Sequence, residues 1–134
     1  MPEIEGLSVS GSGELVTKGR LNVADLDMSV SGSGDLRAEL DGSLIEASIS
    51  GSGKIIAGGT ASEITLSISG SGKFDGEDLK AQKVKARISG SGNAKVYASE
   101  EVDATISGSG TVYYKGDPER KFSKASGSGK LRAL

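Results

Sequence analysis

The tetrapeptide Ser-Gly-Ser-Gly occurs seven times in 134 residues, and this repetition constrains the fold more than any other feature of the sequence. The copies start at intervals of 21, 19, 19, 20, 18 and 19 residues. A fixed period of about 20 residues indicates a solenoid, in which every repeat is one coil stacked on the next. The first serines of the copies are Ser10, Ser31, Ser50, Ser69, Ser89, Ser107 and Ser126. The glycines of the copies are Gly11, Gly13, Gly32, Gly34, Gly51, Gly53, Gly70, Gly72, Gly90, Gly92, Gly108, Gly110, Gly127 and Gly129.

Apolar residues occupy every second position before the central copies of the motif, and such alternation is typical of a strand with one buried face. The residues before the motifs are Leu26, Met28 and Val30, then Ile45, Ala47 and Ile49, then Ile64, Leu66 and Ile68, then Val84, Ala86 and Ile88, then Val102, Ala104 and Ile106. The alternation resumes after each motif at Leu15, Leu36, Ile55, Phe74, Ala94, Val112 and Leu131. Each coil is therefore predicted to run strand, tight corner, strand.

The sequence predicts one all-β domain over residues 1–134, a single-stranded parallel β-helix (β-solenoid) of about seven coils of 18–21 residues. Equivalent strands of successive coils pair in parallel at about 4.8 Å. Carried through the corner, the alternation places the serines outward and both glycines inward. Parallel crossovers are mostly right-handed, which favours right-handed winding. Charged return segments absorb the differences in coil length, at Val16–Asp25, Ala57–Glu63, Phe74–Lys83 and Tyr114–Lys121.

Composition excludes several classes of function. The chain has no cysteine and no histidine, so disulfides, thiolate zinc sites, thiol nucleophiles and His-based triads are excluded. Sixteen Lys+Arg against eighteen Asp+Glu give a net charge of −2, which disfavours a nucleic-acid partner. No apolar run is long enough to span a membrane, and the first six residues lack the features of a signal peptide. The expectations are no cofactor, no membrane span and no leader in this chain.

Four copies extend to Ile-Ser-Gly-Ser-Gly, at Ile49–Gly53, Ile68–Gly72, Ile88–Gly92 and Ile106–Gly110. The sequence resembles the C-terminal repeat region of the bacterial head GIN domain family, described as putative auto-transporter adhesins. The resemblance lies in these units, in the segment Thr111–Pro118, and in a last motif that precedes a short tail of basic and apolar residues. That family often has aspartate directly after the motif, and here only Asp35 matches. The resemblance implies a β-helix at the cell surface or outside the cell, with adhesion as its function. It also implies a truncated or engineered portion of a larger domain.

The two ends of the predicted solenoid differ. The first coil turns Leu7, Val9 and Leu15 inward with nothing before them to cover them. Such an edge offers apolar side chains and unpaired backbone groups to a second copy, which predicts end-to-end self-association. Near the C terminus the inward positions become Lys121, Ser123 and Ala125, as expected of a terminal coil that caps the stack.

The first serines of the motifs form a candidate surface-binding ladder. They should stack in one outward row, with Ser12, Ser33, Ser52, Ser71, Ser91, Ser109 and Ser128 in the next row. A regular partner such as a glycan chain or an ice lattice would match such a row. The alternative is that serine is merely small, soluble and compatible with turns. Tyr97 and Tyr113 are candidates for stacking on sugar rings, whereas Tyr114 falls on an inward position and is assigned to the core.

No motif indicates a metal site or a catalytic centre. Calcium-binding β-rolls need a recurring aspartate at about nine-residue spacing, and here no acid recurs. Phosphate-binding glycine loops lead into helices, whereas every copy here leads into a strand. Carboxylate pairs for glycoside cleavage are present in the return loops, but a thin rod offers no obvious cleft to hold them. These acids are Asp25 with Asp27, Asp75 with Glu77 and Asp78, Glu100 with Glu101 and Asp103, and Asp117 with Glu119.

Three functions follow from the sequence, in order of preference. The first is a non-catalytic, adhesin-like surface module that contacts a glycan or a protein. The second is a truncated or engineered scaffold that has no ligand and associates with itself through its uncapped end. The third is a polysaccharide-active enzyme.

Overall fold

The protein is a parallel β-solenoid in a computed structural model that describes residues 4–116 and 118–133, without the side chains of residues 4, 5, 7, 17–23 and 133. The described residues contain no helix, and the predicted all-β parallel fold is confirmed. The strands are β1 (Ile4–Gly11), β2 (Glu14–Gly32), β3 (Asp35–Gly51), β4 (Lys54–Gly70), β5 (Lys73–Gly90), β6 (Asn93–Gly108), β7 (Thr111–Lys115), β8 (Arg120–Ser126) and β9 (Lys130–Ala133).

Each long strand is nearly a whole coil. It begins directly after one motif, ends at the first glycine of the next, and pairs in parallel with the equivalent strand of the following coil. In the last coils β7 and β8 both pair with β6, and β9 pairs with β7. The chain completes about six turns. The predicted number of about seven counted the corners instead of the turns between them.

Differences in coil length are absorbed in the return segments, as predicted. The register between β2 and β3 shifts between Val16 and Arg20, where β2 contains the extra residues of the 21-residue repeat. The register between β4 and β5 shifts between Ile56 and Gly58. The ladder before each motif keeps its register, so Val30, Ile49 and Ile68 stack directly over one another.

The core is a stack of aliphatic side chains inside the coil. All fifteen apolar residues predicted before the central motifs are buried, which confirms the alternation as the main determinant of the fold. The core also contains residues that the predicted alternation did not single out, among them Leu40 and Leu79. No charged or polar side chain of the described residues is buried, so apolar packing and the backbone ladder stabilise the coil.

Shortening Ile45 to valine is expected to lower the free energy of unfolding by about 0.5–1.5 kcal/mol. Ile45 is fully buried and stacks between Leu26 and Ile64, so the lost methyl group leaves a small cavity. Ser48→Ala, on the outward face of the same strand, is the control and should change the stability by less than about 0.5 kcal/mol. Urea unfolding followed by circular dichroism measures both values. Equal effects of the two substitutions would contradict the inward and outward assignment.

The N-terminal coil is better covered than the sequence predicts. Val9 is only 7% exposed, because its γ-methyl group packs on Gly34 of the next coil. The expectation of an exposed apolar edge is therefore wrong for Val9. Leu15 is partly buried against the core, and the side chain of Leu7 lies outside the described residues. In the described part β1 pairs with β2 alone, and self-association through this edge stays a prediction.

At the other end, β8 continues the ladder without continuing the core. Its residues Lys121, Ser123 and Ala125 are exposed, although they align with buried Val102, Ala104 and Ile106 of β6. The stack of buried apolar side chains therefore ends at β6 along this face, and the polar or small side chains of β8 lie over its last residues.

Candidate functional site

The seven motifs form one corner of the coil, and their two glycines have different roles. The first glycine of every copy has a positive φ, between +81° and +116°, which L-residues with a Cβ rarely adopt. It lies at the surface, so the expectation that both glycines point inward is wrong for the first one. From Gly32 to Gly127, a Cβ added at this position would lie 2.5–2.8 Å from the carbonyl oxygen of the first glycine one coil earlier.

The second glycine is buried from Gly34 onward, and it accommodates a methyl group of the coil before it. A γ-methyl of the last branched residue before each motif occupies the place where a Cβ of the next coil's second glycine would be. The pairs are Val9 with Gly34, Val30 with Gly53, Ile49 with Gly72, Ile68 with Gly92, Ile88 with Gly110 and Ile106 with Gly129. The corner is thus a repeated methyl-on-glycine contact.

Backbone hydrogen bonds continue the ladder round the corner. The N–H of the second serine donates to the carbonyl of the first glycine one coil earlier, as from Ser52 to Gly32 at 3.1 Å. The N–H of the residue after the motif donates to the carbonyl of the second glycine, as from Lys54 to Gly34 at 3.1 Å. Close stacking of the corners fixes the backbone from which the serine side chains project.

The two serine rows of the corner form an exposed hydroxyl edge, which we call the serine edge. The first serines align in register along the stack, from Ser10 to Ser126. All fourteen serines of the motifs are exposed. Within the described residues, no side-chain hydroxyl of these rows forms a hydrogen bond to the protein. The serine edge therefore presents free donors and acceptors at the spacing of the coils, about 4.8 Å.

The strand segments directly before the motifs form an outer face that extends the polar surface of the serine edge. A shallow depression of about 290 Å³ is lined there by Thr65, Ser67, Lys85, Arg87, Asp103 and Thr105, together with Leu66 and Ala86 between them. Arg87 replaces a serine or threonine of the neighbouring coils at this level. The depression is open and carries both charged and uncharged polar side chains, which suits a surface contact.

Among the described loop acids, Glu100, Glu101 and Glu119 line an open groove of about 220 Å³ together with the cations Lys83 and Arg120. Lys83 and Arg120 are the register partners of Glu101 in the coils before and after it. Asp75 accepts a 3.4 Å hydrogen bond from the N–H of Glu77, and Asp117 lies outside the described residues. No group of three or more acids that could hold a metal ion occurs among the residues described.

The three tyrosines have different surroundings. Lys80 lies 6.0 Å from the ring centroid of Tyr97, and Lys121 lies 5.5 Å from that of Tyr114. Tyr114 is partly buried against the core, in agreement with the sequence. Tyr113 is half-buried on the face that follows the corner, beside a second depression.

The second depression, of about 200 Å³, was not singled out from the sequence, and we call it the basic cleft. Its lining residues are Lys54, Lys73, Phe74, Asp75, Asn93, Lys95 and Tyr113. Lys54 and Lys73 each follow a motif directly and are register partners. Alignment of the repeats on their motifs would have placed these two lysines side by side, and the signal was therefore present in the sequence.

These features define an all-β parallel solenoid whose described surface carries polar edges and shallow depressions. Three crystal structures share the fold with substantial sequence identity. A "putative lipid binding protein" from Parabacteroides distasonis is 31% identical over 98% of this chain and 55% of its own, with a TM-score of 0.93. A "putative adhesin" from Bacteroides fragilis is 28% identical over 97% and 60%, with a TM-score of 0.91. A "putative adhesin" from Parabacteroides merdae is 29% identical over 97% and 56%, with a TM-score of 0.93.

The family model described as "putative auto-transporter adhesin, head GIN domain" matches residues 1–118. The chain belongs to this family, which confirms the family that the sequence resembles. It spans somewhat more than half the length of the solved structures that it matches. Among curated proteins, none matches it significantly.

The family and its structural relatives are described as adhesins or lipid-binding proteins and not as enzymes. The adhesin family suggests a role at the cell surface, and no helix of the described residues could cross a membrane.

Proposed function

We propose that this chain is a non-catalytic, cell-surface adhesion module that binds an extended glycan along the serine edge. The observation that supports the proposal most is the row of exposed serine hydroxyls without hydrogen-bond partners in the described protein. A polymer with regularly spaced hydroxyl groups offers alternating donors and acceptors, and serine hydroxyls can satisfy both.

The rigidity of the corner favours this ligand class. The serines are attached to a backbone that is hydrogen-bonded from coil to coil, so little backbone entropy is lost when a ligand binds. A single hydroxyl contact contributes little, about 0.5–1.5 kcal/mol. A row that spans several coils can add such contacts along an extended chain, which an isolated polar loop cannot do.

Two other functions are less well supported. Lipid binding is said of the Parabacteroides distasonis relative, but the only large apolar side chains exposed in the described part of this chain are Val16 and Phe122. Those two residues belong to opposite ends of the stack, in β2 and β8. A polysaccharide-active enzyme would need the acids of the open groove at Glu100, Glu101 and Glu119, and turnover that disappears on their replacement would support it.

The serine edge is tested by removing three hydroxyl groups from adjacent coils. Ser50→Ala, Ser69→Ala and Ser89→Ala together should weaken binding to a glycan found on an array by at least about tenfold, because three hydrogen bonds are lost. The matched control replaces Ser43, Ser62 and Ser99, which are exposed but lie outside the motifs, and should bind as the unaltered protein does.

Biolayer interferometry with the immobilised glycan gives both affinities, and thermal unfolding verifies that the two triple variants are equally folded. A glycan array without a reproducible hit, or equal losses of affinity in the two variants, would overturn the proposal. The ligand-free scaffold would then be the better account of this chain.

A further inference from the structure

We propose that the basic cleft is a second binding site, which takes the carboxylate or sulfate groups of an anionic polysaccharide. The cleft lies on the strands that follow the corner, at Lys54, Lys73, Asn93, Lys95 and Tyr113. It does not include any residue of the serine edge, so the two proposals stand on different observations.

The pairing of Lys54 with Lys73 is not explained by the stability of the fold. Lys54 and Lys73 are direct register partners on adjacent coils, and like charges opposite one another destabilise a sheet. All three lysines are exposed. The ion pairs formed by described residues are Lys85 with Glu63 and Lys115 with Glu77, so no lysine of the cleft has a carboxylate within salt-bridge distance in the described structure.

The polar groups of the cleft are mainly donors. The amide oxygen of Asn93 accepts a 3.3 Å hydrogen bond from the N–H of Thr111, which leaves its NH₂ group as a donor. The three ammonium groups can only donate, and the Tyr113 hydroxyl can donate as well. Asp75 is the one carboxylate of the lining. It is the register partner of Lys95 and accepts from the Glu77 N–H at 3.4 Å. A cleft lined by hydrogen-bond donors favours a ligand that carries hydrogen-bond acceptors. Negatively charged acceptors form stronger hydrogen bonds than neutral ones do.

The shape of the cleft favours a saccharide over an isolated ion. Its volume of about 200 Å³ exceeds what one small anion fills, since a water molecule occupies about 30 Å³ of liquid. The half-buried ring of Tyr113 forms part of its wall and provides a rigid amphipathic surface at low entropic cost. A sugar ring can lie against such a surface while its acidic group reaches the lysines.

The chain's overall charge distinguishes this site from a nucleic-acid surface. The net charge is −2, so attraction of a polyanion comes from local groups of basic side chains and not from the chain as a whole. Screening reduces interactions between exposed charges beyond about 8 Å at physiological ionic strength. Binding must therefore depend on the three lysines together and on the salt concentration.

The test compares the full chain with two variants by isothermal titration calorimetry. The ligands are oligomers of alginate, which carries carboxylates, dextran sulfate, neutral dextran and a 20-residue oligothymidylate. The unaltered protein should bind at least one of the two anionic saccharides. Lys73→Gln with Lys95→Gln should weaken this binding at least about tenfold, because two charge-assisted contacts are lost. Lys124→Gln, at an exposed lysine of β8 that does not line the cleft, should leave the affinity within about twofold.

The preferred anionic saccharide identifies which acidic group is bound, and either preference supports the proposal. Equal binding of neutral dextran, oligothymidylate binding as tight as the saccharide, or the same loss in Lys124→Gln as in the double variant would overturn it. Absence of binding to both anionic saccharides would overturn it as well. The serine-edge variants keep the basic cleft intact, so a failure of one proposal is distinguishable from a failure of the other.

Discussion

Replacing Gly92 by alanine is expected to lower the free energy of unfolding by about 3 kcal/mol or more, at the upper end of the cost of overpacking a core. The new Cβ would lie 2.5 Å from Cγ2 of Ile68 and 2.8 Å from the carbonyl oxygen of Gly72. The methyl group of Ile68 is attached to a stiff, β-branched side chain, and the carbonyl belongs to the backbone ladder. Neither neighbour can move without separating two coils.

Gly13→Ala is the matched control for this substitution. Gly13 occupies the same position of the first motif, but the nearest atom to its added Cβ is Cγ1 of Val9 at 3.9 Å. That distance is an ordinary van der Waals contact. Its φ is not positive, so alanine should be neutral or stabilise by up to about 1 kcal/mol through the unfolded state.

Urea unfolding, followed by far-ultraviolet circular dichroism, gives the stabilities of both variants. A double variant with Ile68→Ala and Gly92→Ala tests the stated cause, because removing the γ-methyl relieves one of the two close contacts. The combined loss should be smaller than the sum of the single losses by about 1 kcal/mol or more. Additive losses, or equal stability of Gly92→Ala and Gly13→Ala, would show that the methyl-on-glycine contact does not set the spacing of the coils.

The sequence predicted those parts of the fold in which each residue has the same neighbours in every coil. Ile49 and Ile68 follow the period-two alternation and lie one coil apart, so their burial and their register could be inferred without a structure. The same holds for the exposure of the serines beside them.

The return segments could not be predicted at this level, because extra residues break the alternation there. Leu40 aligns with Gly59, and Gly59 with Leu79, across a register shift between β4 and β5. Which residues of such a segment turn inward depends on where the shift falls. Periodicity alone does not determine that position.

The two candidate sites both lie next to the motifs, where the register is regular. The serine edge follows from the motif itself, whereas the basic cleft needs residues from two rows, such as Lys73 and Lys95. Lys73 follows a motif directly, and Lys95 lies two residues further along its own coil, where it aligns with Asp75 in the register set by the motifs. The sequence therefore places these charges on adjacent coils, but it does not show that a depression lies between them.

Replacing Gly70 by alanine is expected to lower the free energy of unfolding by about 2–6 kcal/mol, from two separate causes. Its φ is +102°, and a strained backbone conformation costs about 1–3 kcal/mol for a residue with a Cβ. The added Cβ would also lie 2.7 Å from the carbonyl oxygen of Gly51, which accepts the hydrogen bond from the Ser71 N–H at 3.0 Å. Overpacking at this contact costs about 1–3 kcal/mol more.

Gly11 separates the two causes, because it has a φ of +81° and no atom within 4 Å of an added Cβ. Gly11→Ala should therefore show the cost of the backbone conformation alone, and the difference from Gly70→Ala measures the contact between coils. Asparagine tolerates positive φ better than alanine does, so Gly11→Asn should regain part of the lost stability and Gly70→Asn should not. Thermal and urea unfolding of the four variants measure these differences. If asparagine restored both positions equally, backbone strain alone would account for the first glycine of the motif, and the contact between stacked corners would have no part in it.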